Sequence, residues 1–463
     1  MVAAKSGVYL APLRLLALEG YERLKAAGVA VSLMTGEERI LAENATHVCA
    51  TVEMCDFTTA VEVAVIDEVQ MLADSQRGWA WVSALLGAPA KTVFACGALY
   101  AGGAVQELLA DTGEPFVCHS FERLTPLTVE DRSIDLHQVQ AGDAVIAFSR
   151  KDVLNFAALL KKRGLGVSVI YGALSPEVRR RQARAFIDGI NQVVVATDAI
   201  GMGLNLPIRR IVFSASQKYD GVSVRPLYPA EIQQIAGRAG RYGLHEAGFV
   251  TAFGSGDLQQ IRHCLAVRVN PIAGAPFPVM PSWLHVQKIL APLGSNSVRE
   301  ALELFQRIKF KGIFQQADLS DTLARLAVIG RARLHPKDAF TLATAPADPS
   351  NDEDADSLGD FSQVLGSRLT GAVPYDPLGL GETKPSSAYL AEAEAYSRQL
   401  ALYSWFACKY PENASSEGLA QTREALAEFI DACLLDHKKA FFEKRRKQYR
   451  WKEDRDFDDF GED

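Results

Sequence analysis

No run of about 20 apolar residues occurs in the 463-residue chain, so no membrane-spanning helix is written in it. None of the seven cysteines (Cys49, Cys55, Cys96, Cys118, Cys264, Cys408, Cys433) forms a CxxC pair or a zinc-like spacing with histidine. That excludes a cysteine-built metal centre, and the cysteines read as core thiols of a reducing compartment. Positive charge is not in excess: 49 Lys and Arg stand against 56 Asp and Glu, a formal net charge of -7. A surface that attracts nucleic acid everywhere is excluded, and any such site must be a local groove. The first residues run straight into Val8-Tyr9-Leu10, too short for a signal peptide and without the Arg- and Ser-rich character of a transit peptide, so no address is expected at this end. The compartment expected is a bacterial cytoplasm, with a mitochondrial matrix as the alternative.

What is present is 48% hydrophobic and 23% charged, the make-up of a soluble globular protein, and the length calls for two or three domains. Short β-branched runs alternate with Ala/Leu-rich segments of helical period: Val61 to Ile66, Thr92 to Ala95, Ala144 to Phe148, Val167 to Ile170, Gln192 to Ala196 and Arg210 to Phe213. Runs apolar on both faces and separated by helices are what a parallel sheet covered on two sides requires, so the class is α/β. The polar stretch Thr128 to Gln140 reads as the boundary between two such sheets.

After about Gly254 helical periodicity takes over, as in Ser297 to Ile308 and Ser320 to Ile329, with Asn296 or Ser297 and Ser320 as N-caps. Pro346 to Pro385, rich in Pro, Gly, Ser and Asp, reads as a mobile linker, including the acidic Asn351 to Asp356. Two helical blocks, Ser387 to Lys409 and Gly418 to Arg446, follow. The chain then turns from basic (Lys438, Lys439, Lys444 to Lys447) to acidic (Asp454 to Asp463), a solvated tail or a weak RNA-contacting extension. The partition expected is 1–128, 129–256, 257–345, 346–386, 387–436 and 437–463.

Three segments carry chemistry. The run Val61 to Ile66 ends in Asp67-Glu68-Val69-Gln70, which sets two adjacent carboxylates at the C-terminal edge of a buried strand, where open α/β sheets bind ligands. An Asp there can hold the Mg²⁺ that bridges phosphates, and a neighbouring Glu can orient or deprotonate the attacking water. A strand end that merely meets solvent would serve the tetrapeptide as well. In Gln233 to Arg241, Arg238 and Arg241 stand three residues apart and would share a face if the segment is helical. Two planar forks there suit a phosphoryl group, and the interleaved Gly237 and Gly240 argue against a simple solvated turn. In Val193 to Leu206, a buried strand feeds Thr197, Asp198 and a turn spaced by Gly201 and Gly203, suited to close approach of backbone amides to a phosphate or a nucleic-acid strand.

In order and spacing these segments resemble the Walker B motif (Asp67 to Gln70), motif V (Ala196 to Asn205) and motif VI (Gln233 to Arg241) of superfamily-two helicases. Ala11 to Ala17 resembles motif Ia, Thr35 to Arg39 motif Ib, Ala50 to Met54 the next strand-contacting motif, and Phe148-Ser149-Arg150 motif IV. Phe121 to Leu127, Tyr171 to Glu177 and Leu402 to Pro411 narrow the resemblance to the suppressor-of-var type DExH RNA helicases of the mitochondrial degradosome and their bacterial relatives. It extends over Gly7 to Phe253 and more loosely over Ser387 to Leu435.

The resemblance implies two tandem RecA-like lobes, the first incomplete, followed by a mostly helical C-terminal region. It implies an ATP-dependent helicase that unwinds duplex RNA, RNA:DNA hybrid or DNA from 3′ to 5′ and feeds an exoribonuclease, with no membrane partner. By the same token Asp67, with Glu68 beside it, holds Mg²⁺, and Glu68 is the catalytic base. Gln70 couples hydrolysis to motion, and Gly201, Gly203, Gln234, Arg238 and Arg241 serve the ATP. Pro12, Arg14, Thr35, Gly36, Thr51, Ser149, Arg150 and Thr197 would grip the sugar-phosphate backbone of the nucleic acid.

Two departures stand against it. No GxxxxGK[ST] string occurs in the sequence. The expectation is a late start that omits the loop and its strand; the rival is a remnant that binds RNA as a scaffold without turnover. Cys96-Gly97-Ala98-Leu99, at the place of motif III, lacks the hydroxyls and the acidic residue that would couple hydrolysis to unwinding. A DNA repair helicase would share every motor motif, and only the C-terminal resemblance speaks for RNA.

Overall fold

A computed structural model of the chain describes residues 1–435 other than 202–204, 242, 331, 332 and 368. It divides into two compact units, the first made of Met1–Glu122, Val269–Tyr375 and Ser397–Thr422, the second of Arg123–Arg268, Asp376–Tyr396 and the chain from Arg423 on. The charged tail lies outside the described residues. Among those described, no helix is long and apolar enough to cross a membrane.

The sheet of unit 1 holds β1 (Gly7–Ala11), β2 (Val31–Met34), β3 (Arg39–Ile40), β4 (His47–Thr51), β5 (Val61–Ile66) and β6 (Ala90–Ala95) in the order β3-β2-β4-β1-β5-β6. All pairs are parallel except β2 with β3. The register sets Leu10 opposite both Ala50 and Ile66, so β1, β4 and β5 end together at one edge. Helices α1 (Arg14–Ala26) and α2 (Gly78–Gly87) cross between the strands, and α3 (Gly102–Leu109) follows the last of them. Trp81 of α2 is fully buried and anchors a core shared with Leu10, Ile66 and Leu108. The expectation of cover on both faces fails at β6, an edge strand whose Phe94 is 53% exposed.

Unit 2 has a wholly parallel sheet of β7 (Leu127–Val129), β8 (Asp143–Ile146), β9 (Val167–Ile170), β10 (Val193–Ala196), β11 (Arg210–Phe213) and a later strand, β14. The hairpin β12 (Gln217–Tyr219) and β13 (Val224–Pro226) comes before β14 (Gly248–Ala252), and the order is β7-β14-β11-β8-β10-β9. Every residue of β8, β9, β10 and β11 is buried, as near-continuous apolar runs under helices demand. The crossing helices are α4 (Arg150–Lys162), α5 (Pro176–Ile187) and α6 (Pro229–Ala236), and α7 (Ser255–Ala266) follows the last strand.

The polar stretch Thr128 to Gln140 is not the junction between lobes; it belongs to unit 2, where β7 pairs with β14 and Glu130, Gln138 and Gln140 serve a buried ion pair. Arg210 grips the fully buried Asp143 with two hydrogen bonds of 3.0 and 2.6 Å, and reaches Glu130 Oε1 and Gln138 O at 3.0 Å each. Burial pushes the Asp143 carboxyl up despite this partner, so its charge depends on the guanidinium. Arg210→Leu is expected to cost about 3–5 kcal/mol, because it strands a buried carboxylate. Pairing it with Asp143→Leu should recover much of that loss in urea unfolding; a single variant as stable as the parent would refute the account.

The helical remainder of unit 1 holds β15 (Phe277–Val279), α8 (Trp283–Leu293), α9 (Val298–Arg307), β16 (Phe314–Gln316), α10 (Ser320–Ile329), α11 (Pro336–Ala343) and α12 (Asp352–Ser367). Ser297 caps α9 as expected, its hydroxyl accepting from Glu300 N at 3.3 Å. Ser320 does not cap α10: it is the first helical residue, Leu319 holds the cap position, and Ser320 instead bonds Asp318. The linker reading of 346–386 is overturned by α12, whose Leu358 and Phe361 are buried. Phe361 stacks on Phe406 with centroids 4.3 Å apart, so a distant aromatic overrides the local composition. The acidic Asp352, Glu353 and Asp354 occupy the first turn, where the helix dipole favours negative charge. Nor is 257–345 a separate region, since α7 falls in unit 2 and the rest in unit 1. The C-terminal helices α13 (Leu390–Lys409) and α14 (Leu419–Leu435) are themselves divided between the units.

In unit 2, α14 lies on α5 through Arg181, which meets Glu424, Glu428 and Asp431, and through Gln182, which donates to Asp431 at 2.9 Å. Burial, with Glu424 and Glu428 nearby, pushes Asp431 up to about 6 against the pull of Gln182 and Arg181. A raised carboxylate favours the folded state while protonated, so this contribution is whole below the ordinary value of 3.8 and is lost as pH rises through about 6. The loss amounts to as much as about 3 kcal/mol. Asp431→Asn should flatten that decline in unfolding measured between the two pH values; an unchanged slope would contradict the assignment.

Candidate functional site

The C-terminal edge of the unit 1 sheet gathers half of the residues that the sequence singles out. β5 delivers Asp67, whose Oδ2 accepts from the Tyr9 hydroxyl of β1 at 2.8 Å and whose Oδ1 accepts from Glu68 N at 3.0 Å. Burial, then the Asp67 charge, pushes the Tyr9 hydroxyl well above the usual phenol range, which keeps it a donor. The Asp67 carbonyl accepts from Trp81 Nε1 at 2.8 Å. Glu68 sits at φ 53, in the left-handed region that costs a residue with a side chain, and strain of this kind clusters at functional sites. Gln70 Nε2 donates to Glu68 Oε2.

The segment at the place of motif III reaches the same glutamine without hydroxyls. Ala98 N donates to Gln70 Oε1 at 3.1 Å, and a Cβ on Gly97 would stand 2.5 Å from that oxygen. Glycine is required there for the backbone to approach. Among the described residues no group of three or more His, Cys, Asp or Glu could hold a metal ion. The half-buried Asp67 and Glu68 fit magnesium in its usual manner, by one or two carboxylates with substrate phosphates completing the shell.

The expected nucleic-acid residues of unit 1 follow the parallel strands β1, β2 and β4, and so share this edge. The side chains of Arg14 and Thr35 are already engaged. Pro12 is buried and its carbonyl accepts from Arg77 Nη2 at 2.6 Å; Arg14 meets Glu37 at 2.5 Å and Glu38 at 3.2 Å. Thr35 is 1% exposed, its hydroxyl closing a turn on Glu38 O and N at 3.3 and 3.1 Å. Gly36 and Thr51 are half-buried. Sequence reasoning missed Tyr9 and Arg77. Arg77 also donates to Glu53 Oε1 at 2.8 Å and lies over the Trp81 ring at 5.4 Å, and no local spacing announces either residue.

In unit 2 the corresponding residues again follow parallel strands, β8 and β10. Ser149 caps α4, accepting from Asp152 N at 3.0 Å. Arg150 donates from Nε to Glu394 Oε1 at 3.1 Å and lies over the Tyr171 ring, and Tyr171 also donates to the 7%-exposed Glu394 side chain. Arg150 thus fastens the start of α13 to the sheet edge. Thr197 Oγ1 accepts from Ala199 N at 3.3 Å.

The expected helical face for the paired arginines does not exist: α6 ends at Ala236, and Arg238 and Arg241 lie in the turn beyond it. They are aimed by that turn instead. Arg238 Nη2 donates to Gly201 O, Gln234 Nε2 to the same oxygen at 3.4 Å, and Arg241 Nη1 to Asn205 O at 3.1 Å. The segment after β10 and the turn after α6 are thereby brought together; Gly203 lies outside the described residues. Gln233 has a different task, tying the end of α7 through Cys264 O at 3.0 Å and Val267 O at 2.8 Å.

With this geometry established, residues 1–121 match the DEXQ-box helicase domain of Suv3, and residues 128–243 match the helicase conserved C-terminal domain. The chain is 37% identical over 357 residues to the ATP-dependent RNA helicase SUPV3L1, mitochondrial, of Danio rerio, covering 74% of this chain and 46% of the relative. It is 38% identical over 377 residues to the mouse protein of that name, covering 78% and 48%. It is 33% identical over 443 residues to the DExH-box ATP-dependent RNA helicase DExH16, mitochondrial, of Arabidopsis thaliana, covering 92% and 76%. The chain therefore spans about half the length of the two vertebrate relatives, 46% and 48%, and three quarters of the plant one, 76%.

Proposed function

Because the chain belongs to the SUV3 family of superfamily-two RNA helicases, we propose that it is an ATP-dependent helicase that opens duplex RNA or RNA:DNA hybrid from 3′ to 5′ in RNA turnover. The observation that carries the reading is the Asp67-Glu68 pair at the end of β5, held by Tyr9 and Gln70 on the edge where the strand-contacting segments also end. Asp67 would hold magnesium, which when bound neutralises charge on the phosphates of ATP. Glu68 takes the proton of the attacking water. Gln70 couples that residue to the Cys96 to Ala98 segment through Ala98 N. Arg238 and Arg241, with Gln234, Gly201 and Gly203, are the unit 2 residues that would serve the phosphates of ATP.

The nucleic acid is met by the loops bearing Pro12, Arg14, Thr35, Gly36, Thr51, Ser149, Arg150 and Thr197, of which Arg14 and Arg150 act mainly by holding those loops in shape. The relatives' names place them in mitochondria, which supports the matrix as the compartment over a bacterial cytoplasm. An exoribonuclease is the partner that family membership suggests.

Fluorescence anisotropy with single-stranded RNA tests the reading on the 463-residue chain itself. Binding should be indifferent to base sequence, and log K should fall with log salt at about 0.7 per phosphate contacted. No measurable RNA affinity at low salt would end the reading. Turnover and strand displacement are to be measured with a GxxxxGK[ST] loop and its strand joined ahead of Met1. Displacement restricted to duplexes with a 3′ overhang is the expected result, and DNA duplexes opened in preference to RNA would favour a repair role instead.

A further inference from the structure

Arg123 opens unit 2, and its guanidinium is spent on backbone carbonyls. Its Nε donates to Thr125 O at 2.6 Å, Nη1 to Gly237 O at 2.9 Å and Nη2 to Ala239 O, with Gly240 O at 3.5 Å from the same nitrogen. Gly237 and Ala239 flank Arg238, and Gly240 precedes Arg241. The carbonyls beyond the end of a helix have no partner within it and need donors from elsewhere. A planar fork spreads five N–H groups over three nitrogens and can serve carbonyls spaced along a turn, whereas the three N–H groups of a lysine leave a single nitrogen.

The turn is fixed from its other side as well. Gly240 N donates to Ile208 O at 2.8 Å, and at φ +68 a Cβ on Gly240 would come within 2.4 Å of Gly248 N. Between these two restraints the torsions of residues 237–240 cannot change without breaking bonds to Arg123.

We infer that Arg123 is a positioning residue that locks the backbone from which Arg238 and Arg241 project, so that their aim is set before the nucleotide arrives. The inference rests on the reading that those two arginines serve the phosphates. Pre-set geometry of this kind is what lets an arginine act in a transition state without first being ordered.

Hydrogen–deuterium exchange on the full chain tests it. The amides of Gly237, Arg238, Ala239 and Gly240 are all bonded in the parent, to Gln233, Ile235, Ala236 and Ile208. In Arg123→Ala these amides should exchange about tenfold faster or more, while those of β11 keep their protection. Millimolar methylguanidinium should restore the protection by refilling the vacated site, and Arg123→Lys should fall between parent and Ala. Unchanged exchange at 237–240, a rise shared equally by β11, or failure of the rescue would each overturn the inference. The phosphate reading is judged apart from it. Arg238→Lys and Arg241→Lys should leave exchange at 237–240 as in the parent and lower kcat for ATP in the chain given an added GxxxxGK[ST] loop. If kcat did not change, the phosphate role would fall while the lock stood.

Discussion

Arg241→Lys is expected to reduce ATP turnover by about 10³-fold in the chain with a phosphate-binding loop and its strand added ahead of Met1, with kcat falling far more than KM rises. An arginine that stabilises charge on a transferring phosphoryl group contributes about 10³ to 10⁵ in rate. Lysine preserves the charge but not the fork, and a point charge cannot follow two oxygens whose positions change toward the transition state. The side chain now donates to Asn205 O at 3.1 Å, a bond that either cation can make, so the fold should not feel the exchange. RNA affinity should stay close to that of the parent. A variant with parental kcat would remove Arg241 from the chemistry, and one that lost kcat and stability together would mark it as structural.

Glu68→Gln should lower kcat by about 10² to 10⁴-fold, the usual worth of a general base, while RNA binding persists. The substitution isolates the base because the amide is nearly isosteric and its oxygen can still accept from Gln70 Nε2. The left-handed φ of 53 is no harder for glutamine than for glutamate, so no new strain confounds the result. Single-turnover measurements with bound ATP should place the loss in the chemical step rather than in product release. Equal turnover in the two proteins would mean that another group activates the water. Asp67→Asn is a useful companion, since its defect should deepen as magnesium is lowered, whereas the Glu68→Gln defect should not.

The comparison of sequence with structure is best made residue by residue. Asp67 and Glu68 were legible because the short β-branched run Val61 to Ile66 reads as a strand, and the polar residues that end it fall at a sheet edge, as they do after β5. Arg238 and Arg241 were legible as a pair, but their helical face was not real, because the turn is set by Arg123, whose contact with Gly237 spans 114 residues. That Arg14 and Arg150 are paired was not legible, because Glu37 lies 23 residues away and Glu394 244 residues away. The linker that became α12 failed for the same reason, since Phe406 lies far along the chain from Phe361.

By itself, then, the sequence determined the α/β class, the strand-ending acids, the paired arginines and the family, because apolar period and residue spacing are local and survive in one dimension. Only the tertiary structure decided which polar side chains are spent on their neighbours and which loops are locked. Hydrogen bonds and ion pairs join residues by distance in space, and the chain order holds no record of that distance.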